Sequence, residues 1–229
     1  MPDYVFEPGP RPTIPVQGTN KLFPVRRVYC VGRNYLDHIV EMGNDPNREE
    51  PFFFQKPSDA IVPLGGKVPY PPLTKNFHHE VEYVLAIGKE GFEIPVAKAG
   101  SHVFGVALGV DLTRRDLQFE ARDGGKPWEV GKAFDHAGPC SAIKPLNGAP
   151  IPKSGAIKLS VNGEVKQNGD IRMMIWNADE IVAQLSRSYR LMPGDVIFTG
   201  TPAGVGPLQR GDKIDALLEG IAELHVEIV

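Results

Sequence analysis

Two glutamates one residue apart, in Glu80-Val-Glu-Tyr-Val-Leu85, could bind a cation if the segment is a strand. Side chains alternate along a strand, so both carboxylates share one face about 7 Å apart, while Val81, Tyr83 and Leu85 share the other. Carboxylates so spaced can converge on one hard metal ion. A half-exposed strand with a solvated acidic face would show the same pattern. Asp111 closes the apolar run 103–110, and a carboxylate ending a buried strand needs a partner. It could be a third ligand, or the N-cap of a helix beginning at Thr113. Three carboxylates with no soft ligand would suit Mg2+, Mn2+ or Ca2+ rather than zinc. The neighbouring His78 and His79 leave a histidine-containing site open.

Three further patterns could carry chemistry. In the segment 34–42, ended by Gly43, helical spacing puts Leu36, Ile39 and Val40 on one side and Asp37, His38 and Glu41 on the other. His38 and Glu41 are three apart and can hydrogen-bond, which is a general-base arrangement or simply the polar face of a surface helix. Lys132 lies between apolar residues in Trp128-Glu-Val-Gly-Lys-Ala-Phe134. It is either half-buried against a carboxylate or ligand, or an ordinary surface lysine. Phe198-Thr-Gly-Thr-Pro-Ala-Gly-Val-Gly206 leaves a strand for a glycine-rich turn whose backbone N–H groups can cradle an anion. The turn lacks the lysine and spacing of a P-loop, so nucleotide binding is not expected.

Those residues need a scaffold, and composition limits its kind. The 229 residues are 41% hydrophobic and 23% charged, with Gly 25 and Pro 22 making up about a fifth. That content points to many tight turns and away from long-helix bundles. Short β-like runs recur at 28–31, 52–55, 81–87, 103–110, 157–161, 196–199 and 221–228, with turn residues between them. Helical patterns cover 35–42, 113–123 and 177–190; the last starts with Asn177 as N-cap and Glu180 three residues on. The expected class is a single β-rich α+β domain behind a proline-dotted extended arm over residues 1–25. Lys+Arg 25 against Asp+Glu 28 gives −3 and no basic footprint for nucleic acid. No run is long enough to span a bilayer, and Met1-Pro-Asp-Tyr4 does not read as a signal peptide. Cys30 and Cys140 are the only cysteines, which fits a reducing cytoplasm.

The order of these motifs along the chain carries more than any one of them. Tyr29-Cys-Val-Gly-Arg-Asn-Tyr35 with His38 and Glu41, Phe53-Phe-Gln-Lys-Pro57, His79-Glu-Val-Glu82, Asp111-Leu-Thr-Arg-Arg-Asp-Leu-Gln118, Gly131-Lys-Ala-Phe134 and Pro193-Gly-Asp-Val-Ile-Phe-Thr-Gly-Thr-Pro202 together resemble the fumarylacetoacetate hydrolase family. The match runs from about residue 26 to the C-terminus, and the short length with Met174-Ile-Trp176 looks most like its acylpyruvate hydrolases. The resemblance implies a mixed β-sandwich or roll over residues 26–229 as one catalytic domain, a homodimer, and one Mg2+ or Mn2+ per subunit. It implies Glu80, Glu82 and Asp111 as metal ligands and His38, Glu41 and Lys132 as catalytic residues. It further implies substrate contacts from Arg115, Gln118 and Thr201, the last to a pyruvyl carboxylate.

The implied reaction is hydrolysis of the C–C bond of a 2,4-diketo acid, with fumarylpyruvate giving fumarate and pyruvate. A fumaryl group ends in a second carboxylate, which an arginine would pair bidentately; Arg33, Arg114 or Arg122 is expected in that role. Within the family, oxaloacetate decarboxylation and isomerisation of unsaturated diacids use a similar metal site. A non-catalytic metal-dependent binding module is the reading of a different class.

Overall fold

The computed structural model describes residues 3–36 and 49–229. His38 and Glu41, and most of the helical pattern over 35–42, lie outside the described residues. The fold is α+β, rich in strands and turns, with few and short helices. Its centre is an antiparallel pair, Val81–Ile87 and Val103–Val110, in the register Val81↔Val110 to Ala86↔Gly105. Val196–Phe198 pairs with Val81–Ile87 on the other side, antiparallel, and Val28–Gly32 follows parallel to it. Phe52–Lys56, Gly138–Cys140, Ile61–Pro63 and Lys144–Pro145 complete an eight-stranded sheet among the described residues.

Every residue of Val81–Ile87 is buried, because apolar layers cover both faces. Val81, Tyr83, Leu85 and Ile87 face the main core, and Val84 and Ala86 face a second, smaller one. A strand covered on both faces reads as a continuous apolar run rather than a half-polar one. The second core is built partly from the N-terminal segment. There Thr13–Pro15 pairs with Leu22–Pro24, and Ile14, Val16, Phe23 and Val25 are buried against Val84, Ile143 and Phe198. A five-stranded sheet, running Glu164–Asp170, Ala156–Val161, Lys213–Leu218, Ala222–Ile228 and Gly66–Val68, packs on the main core. Its last long strand alternates as its sequence suggests, with Leu224, Val226 and Ile228 inward.

Two of the expected helices are present with small differences at their ends. Ala178–Ser188 opens on Asn177 with a full capping box to Glu180, satisfying two orphan donors at once. The other, Arg115–Asp123, starts two residues later than its pattern, because Thr113–Arg114 pairs as a short strand with Phe77–His79. Asp111 is therefore not its N-cap. A four-residue helix, Glu129–Lys132, packs against it; a Cβ on Gly131 would lie 2.8 Å from Gln118 Cα, so only glycine permits that approach. No helix among the described residues is long and apolar enough to cross a membrane.

Candidate metal and substrate site

Strand register brings the carboxylates together. Val81 pairs with Val110, so Glu80 and Asp111 flank the same end of the ladder, and Asp111 N donates to Glu80 O at 2.8 Å. Glu82 lies opposite Gly109, where a Cβ would press to 2.5 Å from the Phe198 ring. Ligand oxygens of Glu80, Glu82 and Asp111 lie within 4.8 Å of one another, and all three residues are buried. The solvated acidic face that the Glu-Val-Glu pattern also allowed is absent at these positions.

Three cations pair with Glu80 and Asp111. Lys132 is 2% exposed, and its Nζ donates to Glu80 Oε2 at 2.6 Å, Asp111 Oδ2 at 2.8 Å and Thr113 Oγ1 at 2.7 Å. Burial alone would lower its pKa, but Asp111 and Glu80 outweigh that and raise it, so the ammonium keeps its proton. Arg115 donates to Glu80 and to Gln118 Oε1. Lys56, buried in the strand Phe52–Lys56, pairs with Asp111 Oδ1 at 2.7 Å and donates to the carbonyl oxygens of Lys132 and Leu112.

Glu82 has a different environment. It accepts from Gly200 N at 2.8 Å and forms no ion pair with a cation among the described residues. Burial, then the charges of Asp111 and Glu80, push its carboxyl well above the usual range. A buried anion is costly unless paired, and a divalent cation at the cluster would supply the missing charge. Three hard oxygen donors suit Mg2+ or Mn2+. The two histidines that the sequence left open do not join the cluster. His78 faces Asn76 and Arg115, and burial, then Arg115, lower it to about 4. His79 Nδ1 donates to Gln167 Oε1 at 3.0 Å, the only role open to it beside an oxygen that already accepts from Val81 N.

The cluster lines a cleft together with Arg33, Arg115, Gln118, Arg122, Lys132, Thr201 and the rings of Phe54, Phe119 and Trp128. Apart from Arg114, every described site residue expected from the sequence lines this one cavity. Arg114 does not: its guanidinium stacks over Phe134 at 4.4 Å, outside the cleft lining. Asn34 and Lys56 lie inside two of the motifs that carry the family resemblance but have no role expected from the sequence, and Gln167 lies in none of those motifs. Asn34, 1% exposed, ties the turn after Val196–Phe198 to the segment at Trp176 through bonds to Thr199 O and Trp176 O. Gly200, at φ +98, lets that turn pass within van der Waals contact of Asn34.

Gln167 fixes Thr201. Its Nε2 donates to Thr201 Oγ1 at 2.8 Å and Pro202 O at 2.9 Å, so the threonine oxygen accepts there while its own proton makes a long contact of 3.5 Å with Pro202 O. Replacing Gln167 by Ala leaves several buried groups unpaired, a loss of about 1–3 kcal/mol, or roughly 3–10 °C in melting temperature for a chain of this size. Thermal melts of Gln167→Ala check this, and an unchanged melting temperature would show that these bonds carry no net stability.

A model of the fumarylacetoacetate (FAA) hydrolase C-terminal domain matches residues 27–229. The chain belongs to the fumarylacetoacetate hydrolase family. Fumarylpyruvate hydrolase from a Ralstonia species is 47% identical over 184 residues, 80% of this chain and 95% of that protein. Mitochondrial oxaloacetate tautomerase FAHD1 from Mus musculus is 40% identical over 203 residues, 89% of this chain and 91% of that one. The crystal structure of fumarylpyruvate hydrolase from Pseudomonas aeruginosa in complex with Mn2+ and pyruvate superposes with TM-score 0.96 at 47% identity, covering 99% of each chain. This fumarylacetoacetate hydrolase family member is a carbon–carbon hydrolase by its likeness to these proteins, and its buried acidic triad has the donor set to hold a divalent metal ion.

Proposed function

We propose that the protein, as a homodimer with one Mg2+ or Mn2+ per subunit, hydrolyses fumarylpyruvate to fumarate and pyruvate. The observation that carries this reading is the single cleft joining the acidic cluster, Lys132 and Thr201 to an aromatic wall with arginines beside it. The likeness to the Ralstonia and Pseudomonas aeruginosa hydrolases supports it.

Glu80, Glu82 and Asp111 would hold the ion, which when bound supplies Lewis-acid withdrawal of charge from the keto-acid oxygens. Thr201, with Gln167 donating to its oxygen, offers its hydroxyl proton to the pyruvyl carboxylate. In this reading His38, polarised by Glu41, takes a proton from the water that attacks the distal carbonyl carbon. The bond between that carbon and C3 then breaks, its electron pair passes into the enolate of pyruvate, and a proton added at C3 completes release. Lys132 faces the developing enolate charge as a fixed cation. Lys56, bonded to the Lys132 carbonyl and to Asp111, positions both.

The test is a side-by-side assay of fumarylpyruvate, acetylpyruvate and oxaloacetate with pyruvate and fumarate measured. Equimolar pyruvate and fumarate, abolished by EDTA and restored by Mn2+, are expected. The mouse tautomerase relative makes oxaloacetate the informative rival. Oxaloacetate turnover without pyruvate release from fumarylpyruvate would overturn fumarylpyruvate as the substrate in favour of oxaloacetate chemistry.

A further inference from the structure

The face of the helix Arg115–Asp123 that lines the cleft carries Arg115, Gln118, Phe119 and Arg122, the spacing of a single helical stripe. Arg115 and Gln118 close onto the acidic cluster. Arg122 lies seven residues beyond Arg115, about 10 Å further along the axis, at the opposite end of the stripe. Its guanidinium lies over the Phe119 ring at 4.3 Å. Its Nε donates to Asp123 Oδ1 at 2.7 Å, and the side chain is about one-third exposed. Its two Nη groups have no partner among the described residues. Phe54 and Trp128, with ring centroids 5.9 Å apart, also line this cleft, and Phe54 reaches back to Lys132, whose Nζ is 5.2 Å from its ring. The cavity thus has a charged end, flat aromatic walls and a guanidinium held ready by stacking.

We propose that Arg122 is the specificity residue that pairs the terminal carboxylate of a dicarboxylic acylpyruvate, with Phe119, Phe54 and Trp128 packing on its planar unsaturated chain. The proposal rests on the acylpyruvate hydrolase reading and adds a subsite to it. The other two arginines that the sequence offered are placed differently. Arg114 is stacked on Phe134 outside the cleft. Arg33 follows Val28–Gly32, whose parallel partner leads into Gly200 and Thr201, and Gly200 packs on Val31 and Asn34. Arg33 therefore belongs to the end of the cleft where the pyruvyl carboxylate is held. Stacking on Phe119 fixes the guanidinium plane before substrate arrives, so less side-chain freedom is lost on pairing.

The experiment compares kcat/KM for fumarylpyruvate and acetylpyruvate, the second lacking a terminal carboxylate, in the Mn2+-loaded wild type, Arg122→Ala, Arg122→Lys, Asp123→Ala and Arg33→Ala. In Arg122→Ala the fumarylpyruvate-to-acetylpyruvate ratio should fall about ten- to a hundredfold, chiefly through KM for fumarylpyruvate. Arg122→Lys should recover part of the ratio, and Asp123→Ala, which breaks the ion pair but spares the guanidinium, should keep it within about twofold. Equal losses on both substrates in Arg122→Ala, or a selective loss in Arg33→Ala alone, would overturn the assignment. A wild type that releases pyruvate from neither substrate would overturn the parent reading as well, and is distinguishable on that ground.

Discussion

Replacing Glu82 by Gln should abolish the metal-dependent reaction while making the metal-free protein more stable. Glutamine keeps the shape and a carbonyl that can accept from Gly200 N, but removes one anionic ligand from three. Loss of Lewis-acid activation amounts to several kcal/mol of transition-state stabilisation, so kcat/KM should fall about a thousandfold or more. The stability effect runs the other way. The Glu82 carboxyl in the folded chain titrates well above its ordinary range, because of burial and then Asp111 and Glu80. The folded state therefore keeps a proton that the unfolded chain has lost, and stability declines as pH rises above the ordinary carboxylate range. The lowered His78 acts with the opposite sign in both proteins, so the Glu82 contribution is read as a difference: the margin by which metal-free Glu82→Gln out-melts metal-free wild type should widen from about pH 5 to about pH 8. Mn2+ at about a hundred times its Kd contributes about 2.7 kcal/mol to the wild type, roughly 5–10 °C, and little to the variant. Scanning calorimetry with EDTA or Mn2+ reads all of this. A Mn2+-induced shift retained in Glu82→Gln would remove Glu82 from the ligand set.

Lys132→Met should be the most damaging change to the metal-free fold. The ammonium touches Glu80, Asp111 and Thr113, and methionine fills similar volume without the charge. Removing one partner from a buried charge network costs about 3–5 kcal/mol, roughly 6–20 °C in melting temperature. Turnover should fall about a hundred- to a thousandfold, because the developing enolate loses its fixed cation. Mn2+ should stabilise Lys132→Met more than wild type, since a divalent ion replaces the missing positive charge between the same carboxylates. Equal Mn2+ shifts in the two proteins would mean that Lys132 and the metal do not share Glu80 and Asp111.

The strands that hold the site were legible because their signals are local. The run 103–110, closed by Asp111, and the run 81–87, apolar except for Glu82, coincide with the strands Val103–Val110 and Val81–Ile87. The Asn177–Glu180 capping box is likewise a matter of four adjacent residues. The helix expected over 113–123 starts only at Arg115, since nothing near Thr113 announces the strand Phe77–His79 that pairs with it.

The sequence by itself determined which side chains could hold a hard cation, roughly where the strands and turns fall, and which family order the motifs follow. Those properties depend on residue type and on spacings of a few residues. Only the tertiary structure decided that Lys132 is buried between Glu80 and Asp111 rather than exposed, that Lys56 belongs to the same charge network, that Gln167 supports Thr201, and that Arg122 lines the cleft while Arg114 leaves it. Each of these rests on strand pairings between distant segments, such as Phe198 with Val84 and Cys30 with Phe198. Burial and electrostatic environment are sums over everything such pairings bring near. No window of the sequence contains that sum.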